Sequence, residues 1–238
     1  MGLPGAGKTT LARALLARLA EQGKTCGERD LIGRLGSSRA GHYARLMGFT
    51  LGRGSYLPAT VRLAGAVRPA TRARMRFASR LAVWPYRLSV ARARGFDTVV
   101  LDQGILQSAW CVLLEGSLER PALLEKALAD VFAGCQAGFA FISVDLDVKS
   151  AAGRIEARGP MEAPFNRGYP ETLRLLTEHG EQLDQVVAAG VRATGAPHLR
   201  IDGSLPPSEN AMKIDAFVDR VLSRAPQSTT FAGSRAPE

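Results

Sequence analysis

Within its first ten residues the chain reads Met1-Gly2-Leu3-Pro4-Gly5-Ala6-Gly7-Lys8-Thr9-Thr10, the spacing G-x-x-x-x-G-K-[ST]. That spacing constrains the backbone before any other feature does. Glycines at 2, 5 and 7 carry no Cβ, so the loop can take positive φ and turn successive N–H groups toward one point, where an anion satisfies them. Leu11, Leu15, Leu16 and Leu19 then form one apolar stripe, which reads as a helix that Gly23 ends. A helix N-terminus carries about half a unit of positive charge, so loop and helix together make a phosphate cradle. The spacing predicts that Gly2, Pro4, Gly5, Ala6, Gly7, Lys8, Thr9 and Thr10 bind ATP, with Lys8 on the β and γ phosphates and Thr9 on Mg²⁺.

No residue precedes Met1 to form the strand that ordinarily leads into such a loop, so that strand is expected to be missing from the chain as given. Leaving out five or six buried aliphatics forfeits about 1.5–3 kcal/mol each, against a total stability of about 5–15 kcal/mol. A chain starting at Met1 is therefore expected to fold poorly, and a short Val/Ile/Leu-rich segment is expected to be encoded just upstream.

At 238 residues the chain suits one α/β domain with a full core. Cys26, Cys111 and Cys135 are far apart and odd in number, without C-x-x-C or histidines at ligand spacing, so they read as core thiols in a reducing compartment. No apolar run of about 18 residues and no signal-peptide pattern occurs, so a cytoplasmic protein without a membrane partner is expected.

The net charge of +9 is unevenly placed: Leu31 to Phe96 holds thirteen arginines and no Asp or Glu. An acid-free segment of this kind gathers anions, and it reads as an anion-facing surface, a solvated basic face or a partner patch.

Farther along, Lys24 to Leu31 holds a short strand ending near Glu28 and Asp30, and 33–54 is glycine-rich and irregular. Phe77, Leu81, Trp84, Leu88 and Ala91 mark one helical face, which Pro85 is expected to kink or divide. Buried strands are expected at Thr98 to Leu101 and Phe139 to Val144, with a last one at His198 to Ile201. Helices are expected from Ile105 to Leu114, Pro121 to Cys135, Val148 to Arg158, Pro170 to about Ala189, and from an N-cap at Ser208 to about Leu222. Strands alternating with helices predict an α/β fold, a doubly wound parallel sheet covered on both faces. Residues 1–225 form the domain, 159–169 a lid loop, and 226–238 a disordered tail.

Asp102 follows Val99-Val100-Leu101, the form of a strand-end acid that holds Mg²⁺ opposite Thr9; capping the next helix is the alternative. Arg154 and Arg158 are four apart, so they share one helix face at the mouth of the expected lid. There they could neutralise charge on a transferring phosphoryl group, or simply form an exposed face with Glu156.

Together, the glycine-lysine loop, Val99-Val100-Leu101-Asp102-Gln103-Gly104, Val144-Asp145-Leu146-Asp147-Val148 leading to Arg154–Gly159, and Ile201-Asp202-Gly203 resemble the thymidylate kinase branch of the P-loop kinases. The resemblance implies that Lys8 and Thr9 act on ATP and Mg²⁺, that Asp102 sits between metal and acceptor, and that Arg154 and Arg158 belong to the lid. Where such kinases carry Asp-Arg, this chain has Gln103, and Glu28-Arg29-Asp30 is its nearest counterpart of their second-strand motif. An acid there acts as general base in nucleoside kinases, so Glu28 or Asp30 is a candidate for activating a hydroxyl.

A kinase is thus expected, moving the γ-phosphoryl of ATP to a small anionic acceptor, a nucleoside monophosphate or another phosphorylated metabolite, held by the arginine-rich segment. A nucleic-acid binder driven by nucleoside triphosphate is the alternative, with a nucleotide binder lacking transfer activity as a third; a homodimer is left open.

Overall fold

The computed structural model of the chain describes residues 1–23, 25–28, 48–49, 56–68, 71–114, 116–118, 120–158 and 168–224. Asp30, nearly all of the glycine-rich stretch 33–54, the tail at 226–238 and the lid apart from Gly168 and Tyr169 lie outside the described residues.

In chain order come α1 (Lys8–Gln22), β1 (Thr25–Gly27), α2 (Tyr56–Ala66), β2 (Val67–Arg68), α3 (Arg72–Ala93), β3 (Thr98–Val100) and α4 (Ile105–Leu113). They are followed by β4 (Ser117–Leu118), α5 (Pro121–Cys135), β5 (Phe141–Asp145), α6 (Val148–Glu156), α7 (Tyr169–Thr194), β6 (His198–Asp202) and α8 (Pro207–Arg224). The architecture is α/β and mostly helical. β1 runs parallel to β3 with Gly27 opposite Val100, and β5 runs parallel to β6 with Val144 opposite Ile201. β2 and β4 pair antiparallel. Met1 and Gly2 lie along β5: Met1 N donates to Ile142 O at 2.5 Å, and Val144 N–H donates to Met1 O at 2.8 Å. Among the described residues these ladders are separate two-stranded sheets.

The main core gathers Trp84 of α3, Trp110 of α4, Leu128 of α5 and Leu176 of α7, all almost fully buried. The Trp110 indole N–H donates to His179 O at 3.0 Å, which satisfies the one polar atom that the side chain takes inside. A smaller cluster of Ala6, Leu11, Val144, Ile201 and Ile214 lies beneath the phosphate loop.

Two local expectations change. Pro85 does not divide α3, which runs unbroken from Arg72 to Ala93. Burial of Leu81, Trp84, Leu88 and Ala91 along one face outweighs the single ladder hydrogen bond that proline forgoes. Pro207, whose fixed φ suits a first helical position, opens α8, so Ser208 lies inside the helix instead of capping it. In α1, Leu11 and Leu19 are buried, while Leu15 and Leu16 are only half-buried. Cys111 and Cys135 are free thiols, Cys135 in the core. No described helix is long and apolar enough to cross a membrane.

Candidate active site

The glycine-rich loop enters α1 through Gly7, whose φ of 90° and ψ of 7° are left-handed. Gly5 also has positive φ, at 87°, and a Cβ there would lie 2.6 Å from Ala151 O of α6. Only glycine lets the loop sit this close to that helix. Ala6 N–H returns to Leu3 O, while Thr10 and Leu11 N–H both reach Gly7 O. Among the described residues the amides of Gly5, Gly7, Lys8 and Thr9 meet no acceptor, so four donors and a helix N-terminus converge at the loop.

Lys8 Nζ donates to Gly2 O and to Leu3 O, both at 2.8 Å. Its pKa is lowered to about 8, chiefly by burial; Asp102 pulls it up and Arg158 pushes it down. Thr9 Oγ1 donates to Asp102 Oδ2 at 2.8 Å, joining the start of α1 to the turn after β3. Gly104 keeps that turn tight, since a Cβ there would lie 2.8 Å from the Leu101 Cβ. Asp102 Oδ1 is buried without a hydrogen-bond partner. A hydroxyl and a carboxylate of hard oxygens, one atom of which has nothing to accept from, suit Mg²⁺, which takes few protein ligands and relies on phosphates and water for the rest. No group of three or more His, Cys, Asp or Glu that could hold a metal ion occurs among the described residues.

The parallel register of β1 and β3 brings Glu28 to the same end as Asp102. The Glu28 carboxylate accepts the Gln103 N–H at 2.7 Å. Burial pushes its carboxyl above the usual range; the bond from Gln103 opposes this and the Asp102 charge adds to it. From α3, the Arg87 guanidinium stacks 5.0 Å above the Trp84 ring, and its Nε is buried without a partner. Burial lowers the Arg87 pKa; Glu28 raises it and Arg80 lowers it further. On α4, burial pushes the Cys111 thiol up to about 11 against the opposing influence of Arg80, Gln107 and Lys8. Lys8, Glu28, Arg87 and Cys111 thus each feel charges drawn from the same few groups, with Asp102 acting on Lys8 and Glu28 and Arg80 acting on Arg87 and Cys111, and these six residues make up one electrostatic circuit. Its members come from the phosphate loop, the ends of β1 and β3, and helices α3 and α4, and Arg80 is exposed.

The described arginines of the arginine-rich segment do not all face one surface. Arg80 and Arg87 belong to the circuit, but Arg74 is buried and donates from Nε to Val112 O at 2.8 Å and from Nη2 to Leu114 O at 3.0 Å. Arg92 likewise donates to Cys135 O at the end of α5. Arg154 and Arg158, both exposed, have different neighbours. Arg154 Nη1 donates to Gly203 O at 3.0 Å, on the turn after β6 that packs against Ala6 O, whereas the charge of Arg158 acts on Lys8. Two concavities lie elsewhere, one of about 460 Å³ around Arg68, Ser117 and His179 and one of about 250 Å³ around Leu118, Leu124 and Gln185. Neither touches the phosphate loop or a member of the circuit.

Glu28 entered the sequence reading only as one of two acids, and Gln103 only as a departure. Their bond depends on the register of two strands far apart in sequence. Arg87 and Trp84 carried a signal, since both lie three apart on the predicted helix. Against models of protein families and against curated proteins, the chain matches none.

Proposed function

We propose that this chain is an ATP- and Mg²⁺-dependent phosphotransferase of the P-loop type, similar to thymidylate kinases and built on a doubly wound parallel sheet. Its acceptor is a small anion, a nucleoside monophosphate or another phosphorylated metabolite. The observation that carries the reading is the 2.8 Å bond from Thr9 to Asp102, which couples the helix that would hold the phosphates to the acid that would face the metal.

In this reading the amides of Gly5, Gly7, Lys8 and Thr9 receive the phosphate oxygens, and Lys8 Nζ exchanges Gly2 O and Leu3 O for the β and γ phosphoryl groups. Thr9 and Asp102 would hold Mg²⁺, which when bound offsets phosphate charge. Arg80 and Arg87 anchor the acceptor anion. An acceptor oxygen attacks the γ-phosphorus while the bond to the β–γ bridging oxygen breaks and ADP leaves; Arg158, near Lys8, offsets the charge that develops. Arg154 steadies the Gly203 turn behind the loop. A phosphate oxygen attacks without losing a proton, whereas a hydroxyl acceptor would pass its proton to Glu28.

The test is ADP formation with purified protein against panels of nucleotides, nucleosides and phosphorylated sugars. Stimulation by a phosphorylated acceptor supports the reading; ATP hydrolysis that no acceptor stimulates sinks it.

A further inference from the structure

Most of the described arginines between 56 and 96 are used neither by the circuit nor by the core. Arg62 and Arg68 at α2–β2 and Arg72 and Arg76 on α3 are exposed, and among the described residues none of them makes an ion pair. The same two helices carry exposed aliphatic side chains: Leu57 at 39 %, Val61 at 49 % and Met75 at 48 %. Leu57 and Val61 are one turn apart on α2, Met75 lies in the first turn of α3, and α2 packs against α3. Large exposed aliphatics scattered singly mean nothing; set among unpaired arginines on two packed helices, they make an amphipathic basic face.

Three occupants compete for such a face, and the residues separate them. A second copy meeting it face to face would bring unpaired arginines against one another, since the segment holds no acid. A single-stranded nucleic acid would use aromatic platforms, but Tyr56, Trp84 and Tyr86 are buried and Phe77 is half-buried. An anionic lipid surface meets both halves of the face: arginines for the headgroups, and Leu57, Val61 and Met75 for the shallow acyl boundary.

We propose that the outer face of α2 and the first turns of α3 dock this protein peripherally on anionic membranes. The proposal does not depend on the phosphotransferase reading, because none of these residues belongs to the circuit. It is distinct from spanning, for which no described helix is suited.

Co-sedimentation of the full chain with phosphatidylcholine vesicles, with and without phosphatidylserine, tests it. Binding is expected to the phosphatidylserine vesicles at moderate salt and not to the neutral ones. Arg72→Glu with Arg76→Glu is expected to weaken it about six-hundredfold, since each charge near the surface contributes about fivefold and each reversal counts twice. Leu57→Ser, Val61→Ser and Met75→Ser together, which leave the charge unchanged, are expected to weaken it at least tenfold. Circular dichroism melts matching the parent separate these losses from misfolding. The proposal is overturned if the parent ignores phosphatidylserine, if the serine variant binds as the parent does, or if a single-stranded oligonucleotide displaces the vesicles.

Discussion

Thr9 and Asp102, 93 residues apart in sequence, are joined by a 2.8 Å hydrogen bond from the threonine hydroxyl to the carboxylate. The bond fixes one carboxylate oxygen and leaves the other, Oδ1, buried and unpartnered. An orphaned buried oxygen costs stability unless a ligand uses it, and no side chain caps α4, two observations that support the proposed metal-facing role. Asp102→Asn keeps the shape and removes the charge. Turnover with Mg²⁺ is expected to fall about 10–100-fold while nucleotide affinity changes far less, as equilibrium binding alongside steady-state kinetics will show. Equal losses in both would assign Asp102 to structure.

Lys8 supplies a pH prediction. With its pKa near 8 in the nucleotide-free protein and raised again by bound phosphates, ATP binding takes up a proton as pH climbs past 8. Affinity is therefore expected to fall with pH, by up to about tenfold per unit above that point. Calorimetric titration across the range checks this, and Lys8→Ala should flatten the slope and abolish most turnover with the fold intact. The stability linkage runs the other way. Because the folded-state pKa of Lys8 lies below its ordinary 10.5, the unfolded chain binds more protons between about 8 and 10.5. The cost of burying the ammonium is complete below that window and is relieved as pH rises through it. Subtracting Lys8→Met melts from parent melts isolates the effect.

Gly5→Ala is expected to lower nucleotide affinity at least tenfold, because the new Cβ would lie 2.6 Å from Ala151 O and drive the loop off α6. Gly7→Ala meets nothing within 4 Å and carries only the cost of positive φ, so its loss should be smaller. Nucleotide titrations of the two variants side by side decide this.

Arg74 and Arg87 should separate cleanly. Arg74→Met strips donors from the Val112 and Leu114 carbonyls and is expected to destabilise the fold by about 3 kcal/mol, read by denaturant unfolding, with nucleotide affinity unchanged. Arg87→Met is expected to leave stability and ATP affinity nearly unchanged and to raise the KM for the anionic acceptor about 10–100-fold.

How far the sequence reveals these features depends on how local their causes are. The phosphate loop, α1, and the span of α5 from Pro121 to Cys135 follow from glycine spacing, apolar periodicity and an opening proline, all within one segment. β3 and β5 emerge within a few residues of their expected positions because runs such as Thr98-Val99-Val100 suit little else. α2 is not foreseen, since Pro58 and Gly65 interrupt its pattern and its burial comes from packing against α3 and α5. The β2–β4 pair joins two-residue strands, too short for any periodicity to register. At the site, Lys8, Thr9 and Asp102 belong to motifs, but the bond of Gln103 to Glu28 and that of Arg154 to Gly203 depend on register and on the turn after β6. Arginine content gave the charge of the 31–96 segment and could not tell Arg87 at the site from Arg74 in the core.

The central claim is that the loop at Lys8 and the acid at Asp102 act together in phosphoryl transfer. The most direct measurement follows the label from ATP radiolabelled at the γ position in the presence of the acceptor panel. Label is expected to move onto a phosphorylated acceptor with the parent protein and not with Lys8→Ala. Label released solely as inorganic phosphate, or transferred equally well by Lys8→Ala, would contradict it.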